Sequence, residues 1–421
     1  MSLGPIEIDA ASIATDLEDL ARWSEADPPA VTRVVFTPQD LAARDWLKGR
    51  FAKAGLTVRE DAIGNTFARW EGSRPDLPAV ATGSHIDAIP NAGRYDGTVG
   101  VVGALGAITA LKRSGFRPVR PIELILFTSE EPTRFGVGCL GSRAMAGVLG
   151  GTDLASLHDA EGRTLDEVRQ DAGFVGPLDG VTLEPGNYAA FVELHIEQGP
   201  ILEREGLPIG VVEAIAAPAS LRVEIVGEGG HAGTVLMPER RDALCGAAEI
   251  VLAVEAAARE SGSPDLVATV GVCRIEPGAV NGIPARVTLE IDVRDIDPDP
   301  RDRVVDSIRE TVECVAAARG LRTSLKTLNA DPPARSSPAV VSAIEAACRD
   351  LALPHRRMAS RAYHDSLFMA RLAPTAMIFI PCRGGYSHRP EEYSSPEAIA
   401  AGVAVLARTL ARIASDGGGE P

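Results

Sequence analysis

The chain has 421 residues, 45% of them hydrophobic and 24% charged, with a formal net charge of -16. That length points to two domains with a sizeable core. The acidic balance, without any Lys/Arg-rich run, argues against nucleic acid or an anionic membrane as partner, while a local Arg can still hold a small anionic substrate.

In chain order, Ile13 to Trp23 and Pro38 to Ala54 have helical spacing, the second with Thr37 as its cap and Gly55 as its stop. Residues 57–61 and 65–70 read as short strands, and Leu77 to Ile86 as an apolar, β-like run. Gly97 to Ser114, rich in Gly and Ala, predicts a closely packed helix. Pro121 to Thr128, Tyr188 to His195 and Thr375 to Ile380 read as further strands. Strands alternating with helices indicate an α/β fold, a mixed sheet flanked by helices. From Ala214 the pattern changes. Ser220 to Val226, a turn over Gly227 to Gly233, a helix over Arg240 to Arg259, strands over Leu266 to Ile275 and Ala285 to Val293, a helix over Asp302 to Gly320 and a strand over Thr323 to Leu328 follow the ferredoxin-like α+β order. The expected domains are therefore 1–213 (catalytic, first part), 214–330 (inserted) and 331–421 (catalytic, second part).

The six cysteines, Cys139, Cys245, Cys273, Cys314, Cys348 and Cys382, form no CxxC pair. They read as reduced, mostly buried thiols, which fits a cytoplasmic protein. Met1 to Asp9 has neither a basic flank nor an apolar core, so no signal peptide is expected. No apolar stretch is long enough to span a bilayer. The tail, Ser415 to Pro421, reads as frayed.

Five segments carry the chemistry: Ser84-His85-Ile86-Asp87, Tyr95-Asp96-Gly97, Ser129-Glu130-Glu131-Pro132, Glu193-Leu194-His195-Ile196-Glu197-Gln198-Gly199 and Ser387-His388-Arg389-Pro390. Four lie at or beyond the carboxyl ends of strands, where open α/β sheets place their sites; Asp96 lies in a Gly-flanked loop that starts a helix. Imidazole and carboxylate ligands suit Zn²⁺, Mn²⁺ or Co²⁺. A carboxylate bridging two such ions, with a spare Glu beside it, equips a site for metal-assisted hydrolysis. His85 reads as a ligand, with Asp87 on its other ring nitrogen. Glu131 is assigned to metal and Glu130 to the attacking water as general base, although Ser129-Glu130-Glu131 equally suits an acidic helix N-terminus. Alternation puts Glu193, His195 and Glu197 on one side. Taken singly, His195 would pass for a core histidine and His388 for a plain loop histidine. His158 and His355 lack such context. His231 lies in the inserted domain and cannot be placed at the metal site from the sequence.

Together these residues resemble the aminoacylase/carboxypeptidase group of dinuclear metallopeptidases, and within it the hydantoinase/carbamoylase branch of N-carbamoyl-L-amino acid hydrolases, allantoate amidohydrolases and ureidoglycolate amidohydrolases. The resemblance runs from about Ala21 to Ala414 and includes His231-Ala232-Gly233-Thr234, Asn281-Gly282-Ile283-Pro284 and Asp292-Val293-Arg294-Asp295. It implies two divalent ions, Mn²⁺, Zn²⁺ or Co²⁺. His85, Asp96 and His195 would hold one; Asp96, Glu131 and His388 the other. It further implies Glu130 as base and Asp87 as support. The inserted domain would be a dimerisation and lid domain, from which His231 reaches the site of the partner in a homodimer and polarises the scissile carbonyl. Gln198, Asn281 and Arg294 would bind a small anionic ureido substrate, Arg294 taking its carboxylate bidentately.

Ser360-Arg361-Ala362-Tyr363-His364-Asp365-Ser366 stands where many carbamoylases and allantoate enzymes carry a Gly-Ala-Gly-His-Asp type segment. It resembles the ureidoglycolate amidohydrolases. Tyr363 and His364 are thus candidate substrate contacts, Tyr363 shrinking the pocket and adding a phenol, unless it packs away from the pocket. Val235-Leu236 departs from the Thr-Pro that relatives often carry there. The expected reaction is hydrolysis of the terminal ureido C–N bond of ureidoglycolate. N-carbamoyl-L-amino acid or allantoate hydrolysis is the near alternative, and a non-catalytic ureide-binding protein or a dipeptidase the distant one.

Overall fold

The computed structural model describes residues 6–416. The chain forms two compact units, one of residues 6–213, 335–360 and 364–416, the other of residues 214–334 with 361–363. The tail from residue 417, and the first five residues of the segment read for a signal peptide, lie outside the described residues. Ser415 and Asp416, expected to fray, are tied down: Arg120 Nε donates to the Asp416 carbonyl at 2.8 Å. Among the described residues no helix is long and apolar enough to cross a membrane.

The first unit is built on a mixed sheet whose strands run in the order Ile209–Ile215, Thr375–Ile380, Tyr188–Ile196, Ala79–Ser84, Ile122–Leu126, Thr66–Trp70, Thr57–Glu60. The four strands from Thr375–Ile380 to Ile122–Leu126 are mutually parallel. Their neighbours on either side are antiparallel. The parallel strands are buried on both faces, which is why they read as continuous apolar runs. Period-two alternation then splits their side chains between two cores. Val80, Leu124, Val192 and Leu194 join a layer with the helices Ala10–Ala21, Thr98–Arg113, Pro338–Asp350 and Pro396–Ala414. Ala81, Ile125, Phe127 and Phe191 join a layer with Leu140, Met145, Leu165 and Phe174 on the other face. Because four neighbouring strands point the same way, their carboxyl ends line one edge of the sheet.

The second unit has a four-stranded antiparallel sheet in the order Val267–Glu276, Arg286–Asp295, Ala217–Val226, Arg322–Ala330. Helices Ala243–Glu260 and Pro298–Arg319 cover one face of it. The chain order and strand order are those of the ferredoxin-like arrangement. The second helix starts four residues before the expected Asp302, because Pro298 occupies its first turn and the Asp297 side chain caps it. The glycine turn at 227–233 is not wholly irregular: Gly230–His231 pairs with Gly282–Ile283.

Of the cysteines, Cys139, Cys348 and Cys382 are buried, but Cys245, Cys273 and Cys314 are exposed. The expectation of mostly buried thiols fails for the second unit. There the three lie on outward positions of two helices and the Val267–Glu276 strand, which is a sheet edge.

Candidate metal centre

The four parallel strands deliver their ligands to one edge. His85 follows Ala79–Ser84, Glu130 and Glu131 follow Ile122–Leu126, His195 sits near the end of Tyr188–Ile196, and His388 lies beyond Thr375–Ile380. Asp96 enters from the loop before the Thr98–Arg113 helix. Gly97 in that loop has φ 63°, and a Cβ on it would lie 2.3 Å from His85 Nε2. Only glycine allows the helix to start against the imidazole.

Asp96 is the centre of the arrangement. Its Oδ1 lies 3.2 Å from His195 Nε2 and 3.5 Å from His85 Nε2. Its Oδ2 lies 3.3 Å from His388 Nε2, which is itself 3.1 Å from Glu131 Oε1. Two ligand groups result, His85–Asp96–His195 and Asp96–Glu131–His388, sharing one carboxylate. All of these side chains are buried except His388, which is about half exposed. Burial would raise the Asp96 carboxyl, but hydrogen bonds from His195, His388 and His85 hold it well below the usual range. A buried cluster of acids and imidazoles is costly unless a cation receives it. Nitrogen and oxygen donors converging in this way fit a divalent metal.

The His388 imidazole is drawn up to about 11 by its hydrogen bonds to Asp96 and Glu131 in the metal-free protein. At neutral pH it therefore holds a proton that a metal ion must displace. The sign follows. In the metal-free protein this proton contributes stability that is complete below about 6.5, the ordinary histidine value, and is lost as pH rises towards 11. Metal affinity runs the other way and falls as pH is lowered. Calorimetry of Mn²⁺ binding in buffers of differing ionisation enthalpy is expected to register proton release at pH 7. Uptake without proton release would contradict the assignment of His388.

Glu130 and Glu131 do not begin a helix. Ser129 has φ 54°, and residues 128–139 form an irregular loop, so the acidic helix-start reading falls. The Asp87 carboxylate accepts the backbone N–H of Glu130 at 3.1 Å and of Glu131 at 3.0 Å. It is the Asp87 main-chain carbonyl, at 3.0 Å, that faces His85 Nδ1; the carboxylate is 3.7 Å away. Asp87 thus supports the site differently from the expectation: its main chain orients His85 and its side chain sets the Glu130–Glu131 loop. Burial pushes the Asp87 carboxyl up to about 6. Glu130 places Oε2 3.8 Å from His85 Nε2 and Oε1 3.5 Å from Cys139 Sγ, a donor to it. Burial, opposed by His85 and reinforced by Glu131, Asp365 and Asp96, raises the Glu130 carboxyl well above its ordinary value.

Gln198 Nε2 donates to Asp96 Oδ2 at 2.7 Å, so Gln198 stands at the shared carboxylate. His364 is buried, its ring 4.6 Å from that of His195 and its Nε2 2.9 Å from Ser360 Oγ. It backs a ligand rather than opening towards solvent. Glu193 accepts from Ser84 Oγ at 2.7 Å and Ser366 Oγ at 2.6 Å, while Glu197 accepts the N–H groups of Ile201 and Leu202 at 2.8 Å. Of the row Glu193, His195, Glu197, only His195 joins the ligand groups around Asp96. Ser387 and Glu392 also touch the site, and sequence reasoning assigned neither: Ser387 Oγ lies 2.6 Å from Asp96 Oδ2, and Glu392 accepts the Asp96 N–H at 3.0 Å. Their proximity to His388 in the chain was the available signal. His158 is exposed and His355 half-buried, both outside these groups.

The remaining candidates belong to the second unit. Exposed His231 pairs with Gly282, and the Asn281 carbonyl accepts the Ala232 N–H at 2.9 Å, which joins two motifs distant in sequence. Arg294 holds Asp292 through Nε at 2.7 Å and Nη2 at 3.2 Å. Its Nε–Nη2 edge is already engaged, so capture of a substrate carboxylate along that edge requires Asp292 to release it, while the Nη1–Nη2 end can still serve. The Tyr363 hydroxyl donates to Asp331 Oδ2 and lies 3.5 Å from Asn329 Nδ2.

Residues 81–412 match Peptidase family M20/M25/M40. The chain belongs to this family. Ureidoglycolate hydrolase of Arabidopsis thaliana is 54% identical over 418 residues, covering 98% of this chain and 88% of that protein. N-carbamoyl-L-amino acid amidohydrolase of Geobacillus stearothermophilus is 38% identical over 399 residues, covering 94% and 97%. The solved structure of AtUAH in complex with (S)-hydroxyglycine superposes with a TM-score of 0.91 at 53% identity, covering 98% of this chain and 99% of that one; a second AtUAH structure, with glyoxylate, gives the same values. As a member of this family, the chain is a hydrolase acting on carbon–nitrogen bonds, and its His/Asp/Glu groups are suited to metal.

Proposed function

We propose that the chain hydrolyses the terminal ureido C–N bond of ureidoglycolate, yielding glyoxylate, ammonia and CO₂. The observation that carries the chemistry is Asp96 shared between two ligand groups with the uncommitted Glu130 beside them. The choice of substrate rests on the relative that is 54% identical along almost the whole chain.

Two divalent ions held by His85, Asp96, His195, Glu131 and His388 would supply Lewis acidity to the ureido carbonyl and to the attacking water. Glu130 takes the proton of that water. Its Oε1 is turned to Cys139, so Oε2 is the atom that receives it. Glu130 then passes the proton to the departing nitrogen. The departing nitrogen leaves as ammonia; the carbamate left on the hydroxyglycine nitrogen loses CO₂, and the freed hydroxyglycine decays to glyoxylate and a second ammonia. Gln198, Asn281, Arg294 and Tyr363 bind the substrate, and His364 frames the site from behind His195. The second unit acts as a dimerisation and lid domain, with His231 serving the partner subunit's site in a homodimer.

The test is product release by the Mn²⁺-loaded protein from ureidoglycolate, allantoate and a panel of N-carbamoyl-L-amino acids. Glyoxylate and ammonia from ureidoglycolate, with little turnover of the panel, is the expected result. The second reading is N-carbamoyl-L-amino acid hydrolysis, favoured by the relative that is 38% identical. Preference for a carbamoyl amino acid would select it and leave the metal chemistry intact.

A further inference from the structure

We propose that Glu392 is a positioning residue that fastens the His388 loop to the Asp96 loop and so sets the metal affinity of the Asp96–Glu131–His388 group. The inference rests on the metal-binding reading above.

Glu392 is 4% exposed. Its Oε1 accepts two consecutive backbone N–H groups, Tyr95 at 2.7 Å and Asp96 at 3.0 Å. Its Oε2 lies 3.0 Å from Ser387 Oγ, and the same hydroxyl lies 2.6 Å from Asp96 Oδ2. One side chain thus grips the main chain of the shared ligand Asp96 and, through Ser387, the residue next to His388. The contacts join segments almost 300 residues apart in the chain (|i−j| 297 and 296).

Both loops are shaped around this carboxylate. A Cβ on Gly93 would lie 2.3 Å from Glu392 Cβ, so no other residue at 93 is compatible with Glu392 where it stands. The Tyr95 ring meets the Tyr393 ring edge-on at 5.8 Å. Arg383 N donates to the Tyr393 carbonyl at 2.8 Å, closing the His388 loop on itself. These donors to Glu392 are amide N–H groups and a hydroxyl, which orient it without bringing a cation that would compete with metal for Asp96. Groups behind the ligands that fix them in this way typically govern metal affinity by about 10–100-fold.

The experiment is calorimetric titration of the metal-stripped, full-length protein with Mn²⁺, with circular dichroism and melting of each variant alongside. Wild type is expected to take up two ions. Glu392→Ala should weaken one of them by about 10–100-fold and the other, which does not use His388, by much less. Ser387→Ala should weaken the same ion by less. Glu392→Gln should recover most of the loss, since its carbonyl oxygen still accepts both amides. Folded Glu392→Ala and Ser387→Ala proteins that bind both ions as wild type does would overturn the proposal. So would an equal loss at both ions that Gln does not rescue. Should Glu392→Ala not fold, wild-type affinity in Ser387→Ala overturns it. If wild type itself takes up no Mn²⁺, the metal reading fails, and this inference with it.

Discussion

Glu130→Gln is expected to slow turnover by about 10²–10⁴-fold with metal content unchanged. Glu130 is buried, yet it is not needed to complete either ligand group around Asp96. Its backbone is held independently of its side chain. The Glu130 N–H is bonded to Asp87 at 3.1 Å, and its carbonyl accepts the Cys139 N–H at 2.8 Å. Gln can therefore occupy the same place with the same shape and lose only the ability to take a proton. Metal analysis of the purified variant and its rate on ureidoglycolate check this together. Near wild-type turnover would remove Glu130 from the role of base. Loss of metal along with activity would make it a ligand instead.

Asp96→Ala is expected to release both ions and bring turnover to background. Each Asp96 oxygen serves a different group, so one substitution breaks both. Changing His85 or Glu131 would open only one. The side effect is also large, because three imidazoles and Gln198 lose their common acceptor. Added Mn²⁺ stabilises a protein that binds it in the folded state; the melting temperature of wild type should rise with Mn²⁺ and that of Asp96→Ala should not. A variant retaining one tightly bound ion would show that the two groups are not joined through Asp96.

The strands that carry the ligands are legible because each is an apolar run with His or Glu at or beyond its carboxyl end, a pattern that local sequence displays. The second unit is legible for a similar reason: its strands alternate and its helices are long. The helices Pro338–Asp350 and Pro396–Ala414, on either side of the Thr375–Ile380 strand, carry only a Ser-Pro start as a local signal and no ligand motif. What no sequence pattern could supply is which atom does what. The His85-x-Asp87 spacing permits a carboxylate on the imidazole; the fold instead gives that place to a carbonyl and spends the carboxylate on the loop carrying Glu130 and Glu131. The Arg294–Asp292 pair, two residues apart, is likewise a matter of strand geometry and hid behind the expected substrate contact. Glu392 acquires its meaning only from partners almost 300 residues away.

The separation between Asp96 and His388 also bears on how the protein is made. The entire second unit is synthesised between them. A chain emerging from the ribosome can bring His85, Asp96 and His195 together long before His388 exists. The first ligand group is available early, whereas the second is available only after the inserted unit has been passed and the chain has returned to complete the sheet. The two halves of the centre are therefore born at different times, and a fragment cut short within the insertion can acquire half of the centre at most.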